Sequence, residues 1–366
     1  MKSNNRLLSL DVLRGLTVAG MIIVNNGAGR EHFIPLEHAE WNGMTPCDLV
    51  FPFFLFMVGV SMAFSLSKFT APTSSAMPLP AKSDAVKKVL MRTLKMFVIG
   101  LLLNASGPLL KGSPDVLANL RIWGILQRIA VCYCAGALIV LYVNPKHLWK
   151  IIIAILTGYA AILLTCNGYE PNDSNIACII DRALFGEAHL YTKSPIDPEG
   201  LLGCLPAIAH TLIGTIVGGI IRQKDELTVR LTRIFCIATS MAVIGYLLSY
   251  GLPLNKRVWS PSYVLVTCGI AASLLAVFTV LIDIKKKQSW CTPFRWFGMN
   301  AIVLFVASGL LARIIGVCEI PGTIYDTLLG WGLTPQWASL GYALLFLATM
   351  TLLAWTMYRR KIFIKL

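Results

Sequence analysis

Long apolar stretches alternate with short polar gaps from one end of this 366-residue chain to the other. A helix rising 1.5 Å per residue needs about 20 residues to cross a hydrocarbon core of about 30 Å. On that measure the pattern predicts ten membrane-crossing helices, over about 7–25, 47–67, 87–105, 125–143, 148–166, 201–221, 231–250, 263–284, 298–317 and 338–358. The gap 318–337 contains Pro321, Gly322, Gly330, Gly332 and Pro335, and reads as a loop with a short interfacial helix at 324–329. The gap 70–82, with Pro72, Pro78 and Pro80 among Ser and Ala, reads as a flexible linker. The expected fold is an all-α integral membrane protein, a polytopic bundle of about ten transmembrane helices, with 1–366 as a single domain.

Composition sharpens this picture. Hydrophobic residues make up 56% of the chain and charged ones 14%, which leaves almost no room for a separate soluble domain. The first apolar stretch carries Asp11 and Arg14 and lacks a small-x-small exit, so a cleavable signal peptide is not expected. The net charge of +14 reports topology. Of the 32 basic residues, 22 fall in alternate gaps and at both termini, among them Lys2, Arg6, Lys87, Arg222, Lys285 and Lys365. The opposite gaps hold seven: Arg30, Lys111, Arg121, Arg182, Lys193, Lys256 and Arg257. Basic loops stay cytoplasmic, so both termini are expected inside and the gap after the first helix outside. No basic segment alternates with exposed aromatics, which argues against nucleic acid as a partner.

The ten cysteines show no metal spacing, and no metal is expected; Cys132 and Cys134 fit packing better than ligation. Cys166 and Cys178 flank a predicted external loop, where a disulfide and two free thiols are both open.

Candidate chemistry centres on His38, in the first external gap. It stands beside Glu40, Trp41 and Asn42, with Asp48 opening the next apolar run and Asn25 closing the previous one. An imidazole among amide and carboxylate groups at a membrane boundary suits proton transfer, although a solvated loop histidine has the same spacing. Inside the apolar runs, Asp11 and Arg14 share a helix face, Gln127 and Arg128 start the fourth run, and Asn300 starts the ninth. Each has a structural reading as a helix lock; together they suggest a polar interior. Pro52 is expected to kink or open the second helix near Asp48. The predicted external loop 167–200 is acidic, which fits either a cationic substrate or simply a gap poor in Lys and Arg.

These residues also form a pattern. Arg6-Leu-Leu-Ser-Leu-Asp11-Val-Leu-Arg14-Gly15, Val24-Asn25 and His38-Ala-Glu-Trp41-Asn42-Gly43-Met-Thr-Pro-Cys-Asp48-Leu-Val-Phe-Pro52 resemble the transmembrane heparan-α-glucosaminide N-acetyltransferases and their bacterial relatives. The resemblance continues in Leu120-Arg121-Ile-Trp-Gly124-Ile-Leu-Gln127-Arg128, Asp197-Pro198-Glu199-Gly200, Val258-Trp259-Ser260-Pro-Ser-Tyr263 and Gly298-Met-Asn300. It implies a single transmembrane acyltransferase domain and acetyl transfer from cytoplasmic acetyl-CoA to the amino group of a glucosamine-containing sugar across the membrane. The extra luminal domain of the animal lysosomal enzyme has no counterpart here, and the segment from Asn25 to His38 is slightly longer. In this reading His38 is the general base, Asn25 an oxyanion donor, and Asp48 the group that fixes the imidazole or binds the substrate ammonium. An acetyl-histidine intermediate is the other route. Arg14 and Arg128 are the candidates for CoA phosphates, and Asp11, Gln127 and Asn300 for the rest of its path. The implied partners are acetyl-CoA, an amino-sugar or glycan acceptor and the lipid bilayer, with a homodimer left open. The implied location is a bacterial inner membrane with His38 facing the periplasm. An envelope polysaccharide O-acetyltransferase and a small-molecule transporter remain as alternatives, although no internal repeat of the transporter kind is evident.

The charge asymmetry makes a prediction of its own. In a background lacking other reactive thiols, a cysteine replacing Asn172 is expected to react with an impermeant reagent in intact spheroplasts. One replacing Ser75 is expected to react only after permeabilisation. The reverse pattern overturns the orientation.

Overall fold

A computed structural model describes residues 7–70 and 82–364. The proline-containing linker, including Ser75, lies outside the described residues, as do Lys2, Arg6 and Lys365. Fourteen α-helices follow in order: α1 (Leu8–Asn25), α2 (Val50–Ser65), the single turn α3 (Ser67–Thr70), α4 (Lys82–Leu110), α5 (Ile125–Tyr142), α6 (Leu148–Thr165), α7 (Ile176–Phe185), α8 (Cys204–Ile221), α9 (Leu227–Leu248), α10 (Pro261–Phe278), α11 (Cys291–Met299), α12 (Ala301–Val317), α13 (Ile320–Gly330) and α14 (Pro335–Arg359). The described residues contain no strand.

Nine of these segments are long and apolar enough to cross a bilayer. The ninth stretch expected from sequence, 298–317, corresponds to α12, and the preceding α11 meets it at Asn300 with a bend of 85°. The break is stabilised from the far end of the chain, where Asn300 Nδ2 donates to the Ile362 carbonyl and Ile364 N–H donates to Asn300 Oδ1. Its amide thus ties the segment after α14 to the break. The short helix expected at 324–329 is α13, which begins earlier, at Ile320.

The bundle turns its apolar surface outward. On α4, Leu90, Leu94, Val98 and Leu102 recur every four residues, so they share one face, and all four are exposed. In water such a stripe would promote aggregation; against lipid tails it has no desolvation penalty to avoid. The opposite face, with Val89, Met96 and Leu103, is buried in the main core.

The centre is formed by α2, α8 and α10, and close approach there depends on missing side chains. A Cβ on Gly59 of α2 would overlap the Thr211 carbonyl of α8, and one on Gly214 would overlap the Phe56 carbonyl. Thr215 Oγ1 donates to the Gly59 carbonyl at 3.1 Å across the same contact. Small residues let the backbones touch where dispersion must replace the hydrophobic effect.

Pro52 does not kink the middle of its helix. The segment opens with a tight 3-10 turn, Pro46–Leu49, and Pro52 falls in the first turn of α2, where a missing N–H costs little. The carbonyl it cannot serve, that of Asp48 four residues earlier, accepts the Tyr263 hydroxyl from α10 at 2.6 Å.

All ten cysteines are free, so Cys166 and Cys178 do not pair. Gly59→Ala is expected to destabilise the bundle by about 1–3 kcal/mol, the usual cost of overpacking. Gly158→Ala in α6, where an added Cβ meets nothing within 4 Å, serves as control and is expected to be neutral or slightly stabilising. Thermal unfolding in detergent compares the two; equal melting temperatures would refute the role given to the α2–α8 contact.

Candidate active site

The segment between α1 and α2 is largely irregular, and Asp48 organises its second half. Thr45 and Asp48 form a capping box at the 3-10 turn, with Thr45 N–H donating to Asp48 Oδ2 at 3.1 Å. The Ala39 N–H donates to the same oxygen at 3.1 Å. The other oxygen, Oδ1, meets His38 Nδ1 at 2.7 Å. Asp48 is wholly buried whereas the His38 side chain is half exposed, so the carboxylate anchors the ring at the protein surface. Every neighbour of that carboxylate is a donor, which assigns the Nδ1 proton to His38 and leaves the Nε2 lone pair outward. Cys47 Sγ lies 3.1 Å from Nδ1.

A second loop closes over this one. Gly43 N–H donates to the Leu254 carbonyl at 2.7 Å, and Asn255 Nδ2 donates to Asn42 Oδ1 at 3.1 Å. The next residue, Lys256, brings its ammonium within 3.0 Å of His38 Nδ1 and 3.3 Å of both His38 Nε2 and Asp48 Oδ1.

His38 and Asp48 line a cavity of about 320 Å³ that runs inward between α4, α5 and α12. Its charged wall contains Arg121, Glu199, Arg257 and Arg313 beside Lys256. Arg121 is held by Asp197 at 2.5 Å and Glu199 at 2.6 Å and stacks on Tyr191. Burial works against the Arg121 charge, but the two carboxylates outweigh it and raise its pKa above the ordinary guanidinium range. The lining therefore has more cations than anions, although the surrounding loops are acidic. Gln127 lies over Gly100 and Gly124, with no room for a Cβ on Gly100, and its Nε2 is buried in the wall with no partner among the described residues.

A second cavity, of about 340 Å³, opens towards the other end of the bundle. It is lined by Arg14, Ser61, Arg92, Tyr133 and Asn300. The 3-10 turn that leads into α2 lines the first cavity through Asp48, and the end of α2 lines the second through Ser65. On α12 the two come within a single turn, since Phe305 lines one and Ile302 the other.

The residues singled out from sequence thus separate into groups. His38, Asp48 and Gln127 meet at the first cavity; Arg14 and Asn300 line the second, with Asp11 buried beside Arg14 at 3.4 Å. Arg128 is fully buried and lines neither cavity. It donates to the Gly200 carbonyl at 3.0 Å and stacks on Trp259, so it ties α5 to the start of α8. Asn25 is exposed at the end of α1 and lines neither cavity. Sequence reasoning missed Lys256, Arg257 and Arg121 as site residues. A signal existed: all three belong to the seven cations on the face that is otherwise poor in them.

A family profile described as heparan-alpha-glucosaminide N-acetyltransferase, catalytic, matches residues 6–252, which span His38, Asp48, Gln127 and both ends of the acidic loop. The chain belongs to this family. The human heparan-alpha-glucosaminide N-acetyltransferase is 30% identical over 358 residues, covering 82% of this chain and 52% of the human protein. The mouse protein of the same name is 27% identical over 365 residues, covering 84% of this chain and 54% of its own. The chain thus spans about half the length of the curated relatives it matches. No group of three or more His, Cys, Asp or Glu among the described residues is arranged to hold a metal.

The acidic loop carries a carboxylate in an uncomfortable position. Asp181 accepts the Leu201 N–H at 3.0 Å through Oδ1, while Oδ2 is buried against Gly200 without a partner. Burial is the main cause that pushes its pKa up to about 6. A carboxyl raised in the folded state adds stability below its unfolded value near 4, and that stability is lost as pH rises towards 6. Asp181→Asn keeps the acceptor and removes the charge. Between about pH 4 and 6 the melting temperature of the native protein is expected to fall relative to that of the variant; parallel profiles would show that Asp181 is not buried as described.

Proposed function

We propose that the protein transfers the acetyl group of cytoplasmic acetyl-CoA to the amino group of a glucosamine-containing acceptor on the far side of a bacterial inner membrane. The observation that carries this reading is the oriented His38–Asp48 pair at the mouth of one cavity, with a second cavity a single helical turn away along α12. The names of the human and mouse relatives supply the reaction and the acceptor class.

His38 Nε2 takes the proton as the acceptor nitrogen attacks the thioester carbonyl, CoA thiolate leaves, and Asp48 stabilises the imidazolium through Nδ1. A base positioned in this way contributes about 10²–10⁴-fold. The surplus of cations in the wall disfavours an ammonium, so the acceptor amine enters in the unprotonated form that the attack requires. Acetyl-CoA extends from the second cavity, where Arg14 and Arg92 present guanidinium groups to phosphate, past Gln127 to His38. The orphan Gln127 amide matches a carbonyl of the pantetheine arm, which has two amide groups. Asn25, if it joins the reaction as an oxyanion donor, does so only after α1 and the segment before His38 rearrange. In this orientation both termini face the cytoplasm, as the basic gaps require.

Purified protein in detergent, given labelled acetyl-CoA and glucosamine, is expected to form N-acetylglucosamine. His38→Ala is expected to lower turnover by at least about 10²-fold in protein that still unfolds cooperatively, with a lowered melting temperature because buried Asp48 loses a donor. Undiminished turnover in that variant removes His38 from the mechanism. Ester rather than amide products from glycan acceptors would instead mark an O-acetyltransferase.

A further inference from the structure

We infer that Lys256 is a positioning residue of the His38 centre: its ammonium holds the imidazole in the neutral, proton-accepting form against the pull of the Asp48 carboxylate. The inference rests on the reading of His38 as the proton acceptor.

The geometry is specific. Lys256 Nζ lies within 3.3 Å of both ring nitrogens and of Asp48 Oδ1 at once, with 18% of its side chain exposed. This position is built by the backbone. Asn255 is buried, its Oδ1 accepts the Val258 N–H at 3.1 Å, and its own N–H donates to Ser260 Oγ at 3.0 Å. Trp259 N–H closes the turn on the Lys256 carbonyl at 3.1 Å, and Trp259 takes a left-handed conformation, φ 55°, to do so. A bulky residue in that region is strained, and here burial between Phe51, Tyr263 and the Arg128 guanidinium compensates. A lysine on a free surface loop would need none of this support.

The chemistry follows from the charges. A carboxylate at 2.7 Å stabilises the imidazolium, and by itself would favour the protonated ring that cannot act as a base. The ammonium is a donor only and repels the imidazolium. Of the other groups facing the ring, Cys47 packs from the same turn as Asp48. Across the cavity, Arg121 is shared by the Asp197 and Glu199 carboxylates, while Arg257 and Arg313 add positive charge. Lys256 is the cation in direct contact with both members of the pair. Once His38 has taken the substrate proton, the same repulsion returns that proton to solvent and resets the base.

Peptide-resolved carbethoxylation by diethyl pyrocarbonate, which modifies only unprotonated imidazole, reads the state of His38 without any acetyl transfer. In the full chain in detergent, Lys256→Met is expected to move the midpoint of His38 modification up by about half to one pH unit, the size of a unit charge at this distance in a half-exposed site. Lys256→Arg restores a cation and is expected to bring the midpoint back. The acidic limb of kcat/KM for acetyl transfer is expected to move with it in both variants. An unmoved midpoint in a folded Lys256→Met protein overturns the inference, as does a moved midpoint with an unmoved acidic limb. Lys256→Gln replaces the Met variant if the latter fails to fold. Absence of acetyl transfer by the unaltered protein would overturn the underlying reading instead, and is told apart because carbethoxylation is measured independently.

Discussion

Taking a carboxylate out of water costs several kcal/mol unless donors replace the lost hydration. The Asp48 side chain is fully buried, and the loops at that end of the bundle are organised around meeting that cost. The donors come from three places: the Ala39 and Thr45 backbone, the His38 ring and the Lys256 ammonium. Its backbone carbonyl is engaged as well, by Tyr263 from α10, because Pro52 has no N–H to offer. One residue therefore joins the segment after α1, the start of α2 and the segment before α10. The imidazole is oriented as a consequence of satisfying that charge.

Charge is distributed differently at the surface and in the cavity. The loops around it are acidic, but the carboxylates that reach the wall are already occupied, Asp48 by His38 and Lys256, Glu199 by Arg121. Arg257 and Arg313 have no such partner among the pairs formed by the described residues; Arg257 donates to Ser194 and Arg313 to the Gly309 carbonyl. A cationic wall disfavours protonated amines and accommodates negative charge in either substrate. The sign of a loop is thus a poor guide to the sign of the site beneath it, since pairing decides which charges remain available.

The two cavities belong to opposite ends of the same helices, and what separates them is thin. At the bend α11 ends and α12 starts at 85°, Asn300 lines the second cavity with Arg14, and Ile302 and Phe305 of α12 line the second and the first. The carboxamide at this bend is also the tether for the last described residues of the chain.

The sequence by itself determined the membrane class, the positions of nearly all the spans and the nearness of His38 to Asp48, because these depend on local quantities: hydrophobic length, and a carboxylate ten residues from an imidazole. It showed too that Asp11, Arg14, Gln127, Arg128 and Asn300 needed polar surroundings, but not which of them share a space. That depended on helix rotation. Adjacent residues on a helix point about 100° apart, so Gln127 faces the cavity while Arg128 faces the core and holds Gly200. The same reason left Asn25 on the surface and hid the role of Lys256, which is 218 positions from His38 and reaches it through the pinning of the Leu254 carbonyl to Gly43 and of the Asn255 side chain to Asn42. Contacts of that range carry no periodic signal; tertiary packing alone brings them together.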